Sequence, residues 1–412
     1  GPEITDAVLK ILKAAKAPLS YEIYQVGLPL YEQSGELVSE EAFASFERTR
    51  VLLKSPITTP VGSGFRSINV MLRKKYDLYA NVRPARSNPA IVTPFKDVDI
   101  VTFRENTEDL YVGVEEQIDE NTVHATKIIT RSASERIIRD AFAYARANHR
   151  RRVTCVHKAN ILKMSDGLFL SVFKEIAAEY PDITADDRIV DNMCMQLVQY
   201  PQRYDVLVMP NLYGDIITDE AAEFQGGVGT AGSANLGNHY AMFEAIHGSA
   251  PRMVKEGRAQ YADPCSMLRA SVMLLSHIGY QAQADKLTAA LDKCMFTEKA
   301  LTVTGRDTGC TCTEFAQNQN KVSLPVIKRL PKYYRYISDM HNNGIVKVSS
   351  SELARMMGTT ASQVRQDFNC FGGFGQQGIG YHVDVLLSEI SKLLFSEKNL
   401  NAVLIGTGRL GR

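Results

Sequence analysis

NLYGDIITDE, residues 211–220, sets Asp215 and Asp219 four positions apart, directly after the short apolar run Tyr204–Met209. Four residues is close to one α-helical turn. A helix opening after Tyr213 therefore carries both carboxylates on one side, where they can bind one divalent cation. Upstream, RSINVMLRKKYDLYANVRP supplies Arg66, Arg73 and Arg83, and FRENTEDLYVG supplies Arg104 and Tyr111. A metal-binding pair beside several arginines suits a polyanionic substrate, and a tricarboxylate meets that description.

Working outward, further short apolar runs occur at Val98–Phe103 and Arg152–His157, which read as strands. Helical periodicity separates them over Ser132–Asn148, Leu168–Tyr180 and Pro264–Ile278. Residues 1–16 read as an amphipathic helix through Ile4, Val8, Ile11, Leu12 and Ala15. Strands alternating with helices predict an α/β fold with much parallel pairing. Glu115–Ile129, rich in β-branched residues, predicts extra antiparallel strand. GGVGTAGSANLG, residues 226–237, predicts a flexible or tightly turning loop.

The 412 residues are too many for one small domain and suggest two or three. A formal net charge of +1 excludes a globally polybasic nucleic-acid binder but allows a local basic module. No apolar run reaches the roughly 18–20 residues of a spanning helix, and the start does not read as a signal peptide, so no membrane partner is expected. Seven cysteines without repeating spacing fit a reducing, cytoplasmic setting. Cys310 and Cys312 are close, but no second pair completes a zinc site.

The character changes near residue 317. VSLPVIKRLPKYYRYISDM concentrates Lys328, Arg329, Lys332 and Arg335 in one predicted helix, about Pro325–Asn342. Helices are also predicted at Ser350–Met357 and Thr360–Phe368, each opened by a capping box, Ser349 with Glu352 and Thr360 with Gln363. A Gly-rich hairpin, GGFGQQGIGY, and a helix from about Val383 to Leu394 follow. Three helices and a hairpin in about 75 residues predict a winged helix. Asn401–Ile405 then reads as a strand running into Gly406, Gly408 and Gly411, a GxGxxG without its helix.

TTPVGSGFRSINVMLRKKYDLYANVRP, FRENTEDLYVG, HKANILK, VDNMCMQLV, NLYGDIITD and AIHGSAP occur in the order found in β-decarboxylating dehydrogenases. Residues 1–316 resemble the isocitrate/3-isopropylmalate dehydrogenase family, and Ser67 with Asn69 resembles its isocitrate type. The resemblance implies a two-lobed fold, with a large lobe over about 1–78 and 226–316. A small lobe and clasp would span about 79–225. It also implies a strand and Gly-rich turn ahead of residue 1, so a fold lacking its first strand, and weakly stable, is expected.

By the same resemblance Asp215 and Asp219 hold Mg2+ or Mn2+, with Asp191 contributed by a second subunit of a homodimer. Arg73, Arg83 and Arg104 clamp isocitrate carboxylates in a bidentate geometry that lysine cannot supply. Ser67 and Asn69 complete recognition of the γ-carboxylate and the nicotinamide. Lys158, from the partner chain, serves the base region, and Tyr111 protonates the enolate. The cofactor lies against His247, Gly248 and Ala250, and a later segment at Asp263. NAD is expected, with NADP the alternative. Arg252 stands where NAD enzymes usually carry an acidic residue, but the Tyr and Arg that NADP enzymes add are not found near VTGRDTG.

Residues 321–412 resemble the N-terminal part of the redox-sensing transcriptional repressor Rex. The resemblance rests on SLPVIKRLPKYYRYI, SSSELARMMG, TASQVRQDFNCFGGFGQQGIGY and NAVLIGTGRLGR. It implies a winged-helix domain over 321–398 and a truncated Rossmann start over 399–412. A recognition helix exposing Ser362, Gln363, Arg365 and Gln366 would read double-stranded DNA bases. Lys328, Arg329, Lys332 and Arg335 would meet phosphates, and Gln376 and Gln377 the minor groove. The whole sequence thus predicts isocitrate oxidation joined to a DNA-binding module. Its rivals are a regulator whose dehydrogenase part only dimerises or senses metabolite, and a non-functional fusion of two gene fragments.

Overall fold

The computed structural model describes residues 2–57, 67–87, 94–248, 250–298, 307–317, 324–369 and 380–395. The chain divides into two compact units, Gly1–Gln319 and Asn320–Arg412.

In the first unit the strands are β1 (Val51–Lys54), β2 (Ala80–Arg86), β3 (Asp99–Glu105), β4 (Glu115–Asp119) and β5 (Thr122–Ala125). They continue with β6 (Arg152–His157), β7 (Thr184–Ile189), β8 (Val206–Met209), β9 (Gly232–Leu236) and β10 (Ala241–Ala245). Among the described residues, eight of them form one mixed sheet in the order β1-β10-β9-β2-β3-β8-β6-β7. β3, β8, β6 and β7 run parallel, whereas β2 lies antiparallel to both β3 and β9. The parallel block gathers the C-terminal ends of its strands on one sheet end, where α/β folds characteristically bind ligands.

Apolar periodicity explains how helices cover this sheet. Helix Arg131–Ala147 turns Ile137, Ile138, Ala141, Phe142 and Ala145 inward, where they meet Phe169, Val172, Phe173 and Ile176 of helix Ser165–Ala177. Each such large side chain contributes about 1.5–3 kcal/mol on burial. Arg131, Arg139 and Arg146 pair with Glu175, Glu179 and Asp182 along the solvent side of the same helix contact. Helix Asn211–Ala222 packs in another cluster through Ile217 and Ala221, with Met209 and Phe224. Helix Pro2–Ala14 buries Ile4, Val8, Ile11 and Leu12 beside Leu268, Leu275 and Phe315. β4 and β5 form a separate antiparallel hairpin, exposed along its length.

The Gly-rich stretch 226–237 is not the loop its composition predicts. After a short 3-10 turn at Val228–Thr230 it forms β9, a buried strand in the interior of the sheet. Gly226 and Gly227 take positive φ ahead of the strand, whereas at Gly232 it is smallness that matters. A Cβ on Gly232 would lie 2.5 Å from Ala270 N and 2.7 Å from Arg269 C, so helix Cys265–His277 could not pack this closely.

The second unit contains helices Leu324–Asn342, Ser350–Met357, Ala361–Asn369 and Val383–Phe395. β11 (Lys347–Val348) pairs antiparallel with β12 (Tyr381–His382). Leu330, Tyr333, Ile337, Leu353, Val364, Phe368, Leu386 and Ile390 make its core. The capping box at Ser349 and Glu352 is complete. At Thr360 only half forms: its hydroxyl accepts from Gln363 N, but the Gln363 amide turns to Asp367 instead. The predicted hairpin tip, with Gln376 and Gln377, and the whole GxGxxG segment lie outside the described residues.

Candidate active site

Helix Asn211–Ala222 passes against β3 at the ligand-binding end of the parallel block. Its close approach depends on Gly214, where a Cβ would collide with the stem of Arg104. Arg104 is buried and donates from Nε to Asn211 Oδ1 at 2.9 Å and from Nη1 to Asp215 Oδ1. The Tyr111 hydroxyl donates to Asp215 Oδ2 at 2.7 Å, with the Arg104 guanidinium 5.0 Å from the Tyr111 ring centre. From β2, Arg83 Nη1 donates to Thr218 Oγ1 at 2.7 Å and to Asp219 Oδ1 at 3.3 Å. Arg83, Arg104, Tyr111, Asp215 and Asp219 are thus one connected group.

Arg73, on helix Ile68–Lys75, is anchored instead to Glu244 of β10, 3.2 Å away. Glu244 also meets Lys54 at 2.8 Å and accepts from Asn235 Nδ2 at 2.8 Å. Burial opposes its ionisation, yet Lys54 and Arg73 hold its carboxyl well below the usual range. Lys54 and Glu244 escaped the sequence reading, although a signal existed. A carboxylate inside the apolar strand Met242-Phe243-Glu244-Ala245 needs a buried partner.

Three arginines crowd together here. Burial, with Arg104 and Arg73 nearby, pulls Arg83 down to about 10, and burial with Arg73 lowers Arg104. Asp215 stays below the ordinary carboxylate value because Arg104, the Tyr111 hydroxyl and Arg83 outweigh its burial. Asp219 is raised, chiefly by burial. Burial and the bond to Asp215 raise Tyr111. Buried Nε of Arg73, Nε of Arg83, Nη2 of Arg104 and Oδ1 of Asn69 have no hydrogen-bond partner. Three arginine donors lacking an acceptor around one crevice fit an anionic ligand carrying several carboxylates.

Asp215 and Asp219 present carboxylates that are 43% and 62% exposed, one turn apart on their helix. Hard oxygen ligands with open sides fit Mg2+ or Mn2+. Asp191 does not join them within one chain; it pairs with Lys158, past the ends of β7 and β6. No group of three or more metal-ligating side chains forms among the described residues. Ser67 caps no backbone group at the start of its helix.

Among the residues expected at the cofactor, His247 Nδ1 lies 2.9 Å from Gly248 O, and its Nε2 is buried without a partner. Ala250 takes a left-handed conformation ahead of helix Pro251–Lys255. Asp263 accepts from Cys265 N at 2.8 Å, and burial raises its pKa. A cavity of about 280 Å³ nearby in sequence is lined by Arg252, Glu256, Arg258 and Asp307.

In the second unit, two residues expected at DNA are committed inward. Arg329 donates twice to Asp367, at 2.7 and 2.8 Å, and Gln363 donates to the same buried carboxylate at 2.8 Å. Lys332 donates to Met357 O at 2.8 Å. Ser362, Arg335 and Arg365 are exposed, Arg365 donating to Ser350 Oγ at 3.1 Å. The side chains of Lys328 and Gln366 lie outside the described residues.

Residues 1–318 match the family model of isocitrate/isopropylmalate dehydrogenase. Residues 321–369 match a second model, described as "Putative DNA-binding protein N-terminus". An isocitrate dehydrogenase [NADP] of Rickettsia felis is 42% identical over 369 residues, 87% of this chain and 75% of that protein. The isocitrate dehydrogenase [NAD] subunit alpha of Homo sapiens is 44% identical over 320 residues, 77% of this chain and 86% of the relative. The crystal structure of isocitrate dehydrogenase from Methylococcus capsulatus is similar with a TM-score of 0.73 and 44% identity. That likeness covers 77% of this chain and 95% of the other. The α/β fold with its large mixed sheet agrees with these matches, and the chain belongs to the isocitrate/isopropylmalate dehydrogenase family.

Proposed function

We propose that the first unit oxidises and decarboxylates isocitrate to 2-oxoglutarate, with a divalent cation and a nicotinamide cofactor. The observation that carries this reading is the ring of unpartnered donors on Arg73, Arg83 and Arg104 beside the Asp215–Asp219 pair. The names of the relatives support isocitrate over other substrates of the family.

Arg73, Arg83 and Arg104 bind and orient the carboxylates, and burial makes each charge–charge contact stronger than it would be in water. Ser67 and Asn69 complete recognition. Asp215 and Asp219 would hold Mg2+ or Mn2+, with the partner subunit's Asp191 completing the site in a homodimer. Such a cation supplies Lewis-acid stabilisation of negative charge on the substrate oxygen. Tyr111 delivers a proton from its hydroxyl, and the partner subunit's Lys158 serves the base. Exposed Val114, Ile118 and Val123 at the hairpin, and Ile161, Met164, Met195 and Val198, support dimer formation.

His247, Gly248, Ala250 and Asp263 would hold the nicotinamide cofactor, which would supply the hydride acceptor. NAD is the proposed cofactor; relatives named for NADP and for NAD are similar to nearly the same degree. Purified chain mixed with isocitrate and Mn2+ should raise absorbance at 340 nm with NAD, and less with NADP. Absence of reduction with both, from folded protein, removes the enzymatic reading and favours a metabolite-sensing regulator.

A second reading concerns residues 321–398, supported by the match at 321–369 and the helix–strand pattern of the second unit. We read it as a Rex-like winged helix that binds double-stranded DNA through Arg335, Ser362 and Arg365. Fluorescence anisotropy with duplex DNA should show binding that weakens steeply with salt. Salt-independent or absent binding would leave a protein-interaction module.

A further inference from the structure

We infer that Lys127 is a positioning residue, whose mostly covered side chain sets its ammonium between Asp109 and Asp166 and keeps three segments of the proposed catalytic machinery in register. Its kinetic consequence rests on the isocitrate reading above; its structural consequence does not. Lys127 Nζ lies 2.7 Å from Asp166 Oδ1 and 3.5 Å from Asp109 Oδ1. It also donates to the Tyr213 hydroxyl at 3.3 Å and sits 4.5 Å from that ring's centre. Both carboxylates are fully buried, and buried charges persist only when paired.

Each carboxylate passes the constraint onward through backbone amides. Asp109 accepts from Leu110 N at 2.8 Å and from Leu212 N at 2.9 Å. Leu110 precedes Tyr111 in its 3-10 turn, and Leu212 lies in the first turn of the helix that carries Asp215 and Asp219. Asp166 accepts from Lys158 N at 2.7 Å. Asp109 also holds φ 69 and ψ −149, a backbone conformation that a non-Gly residue keeps only when its surroundings over-determine it. One ammonium thus ties the Tyr111 turn, the head of the Asp215 helix and the backbone of Lys158.

The proposed dimer makes this linkage more consequential. Tyr111 and Asp215 serve the centre of their own chain, whereas Lys158 serves the other centre. Lys127 therefore joins parts of two centres, at the base of the exposed hairpin β4–β5. Without its charge, two buried carboxylates would face each other; one must protonate or both must separate. Either response moves the amides they hold.

The test is Lys127→Met, with Lys127→Arg as the conservative control, in the full chain. Lys127→Met should lower kcat about tenfold to a hundredfold, since small misplacements of reacting groups cost that much. KM for isocitrate should change less than kcat, because Arg73 is anchored to Glu244 and Arg104 meets this network only through Asn211 and Asp215. Amide exchange at Leu110, Lys158 and Leu212 should speed by about tenfold or more, and Lys127→Arg should restore part of both losses. A folded Lys127→Met protein with unchanged kcat and unchanged exchange at those amides overturns the proposal. Should Lys127→Met not fold, Asp166→Asn keeps an acceptor for Lys158 N while removing one charge. Faster Lys158 exchange in that variant upholds the proposal, and unchanged exchange overturns it. A wild-type chain without turnover would remove the isocitrate reading, and amide exchange alone would then decide the role of Lys127.

Discussion

Tyr111 donates its hydroxyl proton to Asp215 Oδ2 at 2.7 Å, while Arg104 occupies the other oxygen of the same carboxylate. The proposed proton donor and the proposed metal ligand therefore share one hydrogen bond. Tyr111→Phe removes the donor while keeping the ring over Arg104. Folding stability should fall by only about 1 kcal/mol, the usual net value of one hydrogen bond. Turnover should fall about a hundredfold or more, as expected on loss of a general acid. Steady-state kinetics beside thermal unfolding separates the two effects; equal small losses would count against a chemical role for Tyr111.

Asp215→Asn preserves shape and discards charge. A neutral amide is a poor ligand for a hard cation and leaves Arg104 without its counter-ion, while Arg83 keeps Asp219. Mn2+ binding, followed by electron paramagnetic resonance without substrate, should weaken at least about tenfold. Metal-dependent turnover should be lost, while any DNA binding by the second unit should stay intact. Retained Mn2+ affinity would remove Asp215 from the metal site.

Much of this arrangement can be read from residue order. The helix periods over 132–148 and 168–180 appear as Arg131–Ala147 and Ser165–Ala177, and the run Arg152–His157 is a strand at those bounds. Local apolar spacing encodes these elements, because each buries one face. β9 was misread because its small residues answer to a helix packed across it, contact with a distant segment that composition does not reveal. The inward turn of Arg329 and Gln363 was missed for a related reason. Both look like exposed basic and polar positions until Asp367, on another turn or another helix, claims them.

Gly214→Ala tests whether close helix–strand approach positions Arg104. A methyl group there would collide with the aliphatic stem of Arg104, which is itself buried and cannot swing into solvent. Overpacking of this kind costs about 1–3 kcal/mol. KM for isocitrate should rise about tenfold as Arg104 leaves its place beside Asn211 and Asp215. Unchanged KM in a destabilised protein would confine Gly214 to packing.

Glu108 gives stability a pH dependence with a definite sign. Burial pushes its carboxyl up to about 7, against bonds from Thr130 N and Thr130 Oγ1, both 2.8 Å. A raised carboxyl pKa means that the folded chain holds this proton more tightly than the unfolded chain. The associated stabilisation is complete below the ordinary value near 4.5 and is lost as pH rises towards 7. Glu108→Gln, which stays neutral and can still accept from Thr130 N, should flatten that slope. Urea midpoints across this range, wild type against variant, give the measurement; parallel curves would show that Glu108 ionises freely in the fold.

Asp367 bears on the second unit in the way that Lys127 bears on the first. Its carboxylate is fully buried and accepts from Arg329 twice, from the Tyr333 hydroxyl at 2.8 Å and from Gln363. These bonds join helix Leu324–Asn342 to helix Ala361–Asn369, the element proposed to meet DNA. Asp367→Ala takes the acceptor from the fully buried Tyr333 hydroxyl and removes the carboxylate to which Arg329 donates twice. Because Arg329 is 31% exposed and can be solvated, the cost is that of lost hydrogen bonds to a charged group, about 2 kcal/mol, still a sizeable part of a unit's stability. Unfolding of the second unit, followed by amide exchange at Tyr333 and Phe368, should become easier by that amount. Salt should change this little, since buried pairs are weakly screened, whereas DNA binding by Arg335 and Arg365 should remain strongly salt-dependent. A loss below about 1 kcal/mol would mean that packing of Phe368 and Tyr381, not the carboxylate, holds helix Ala361–Asn369 in place.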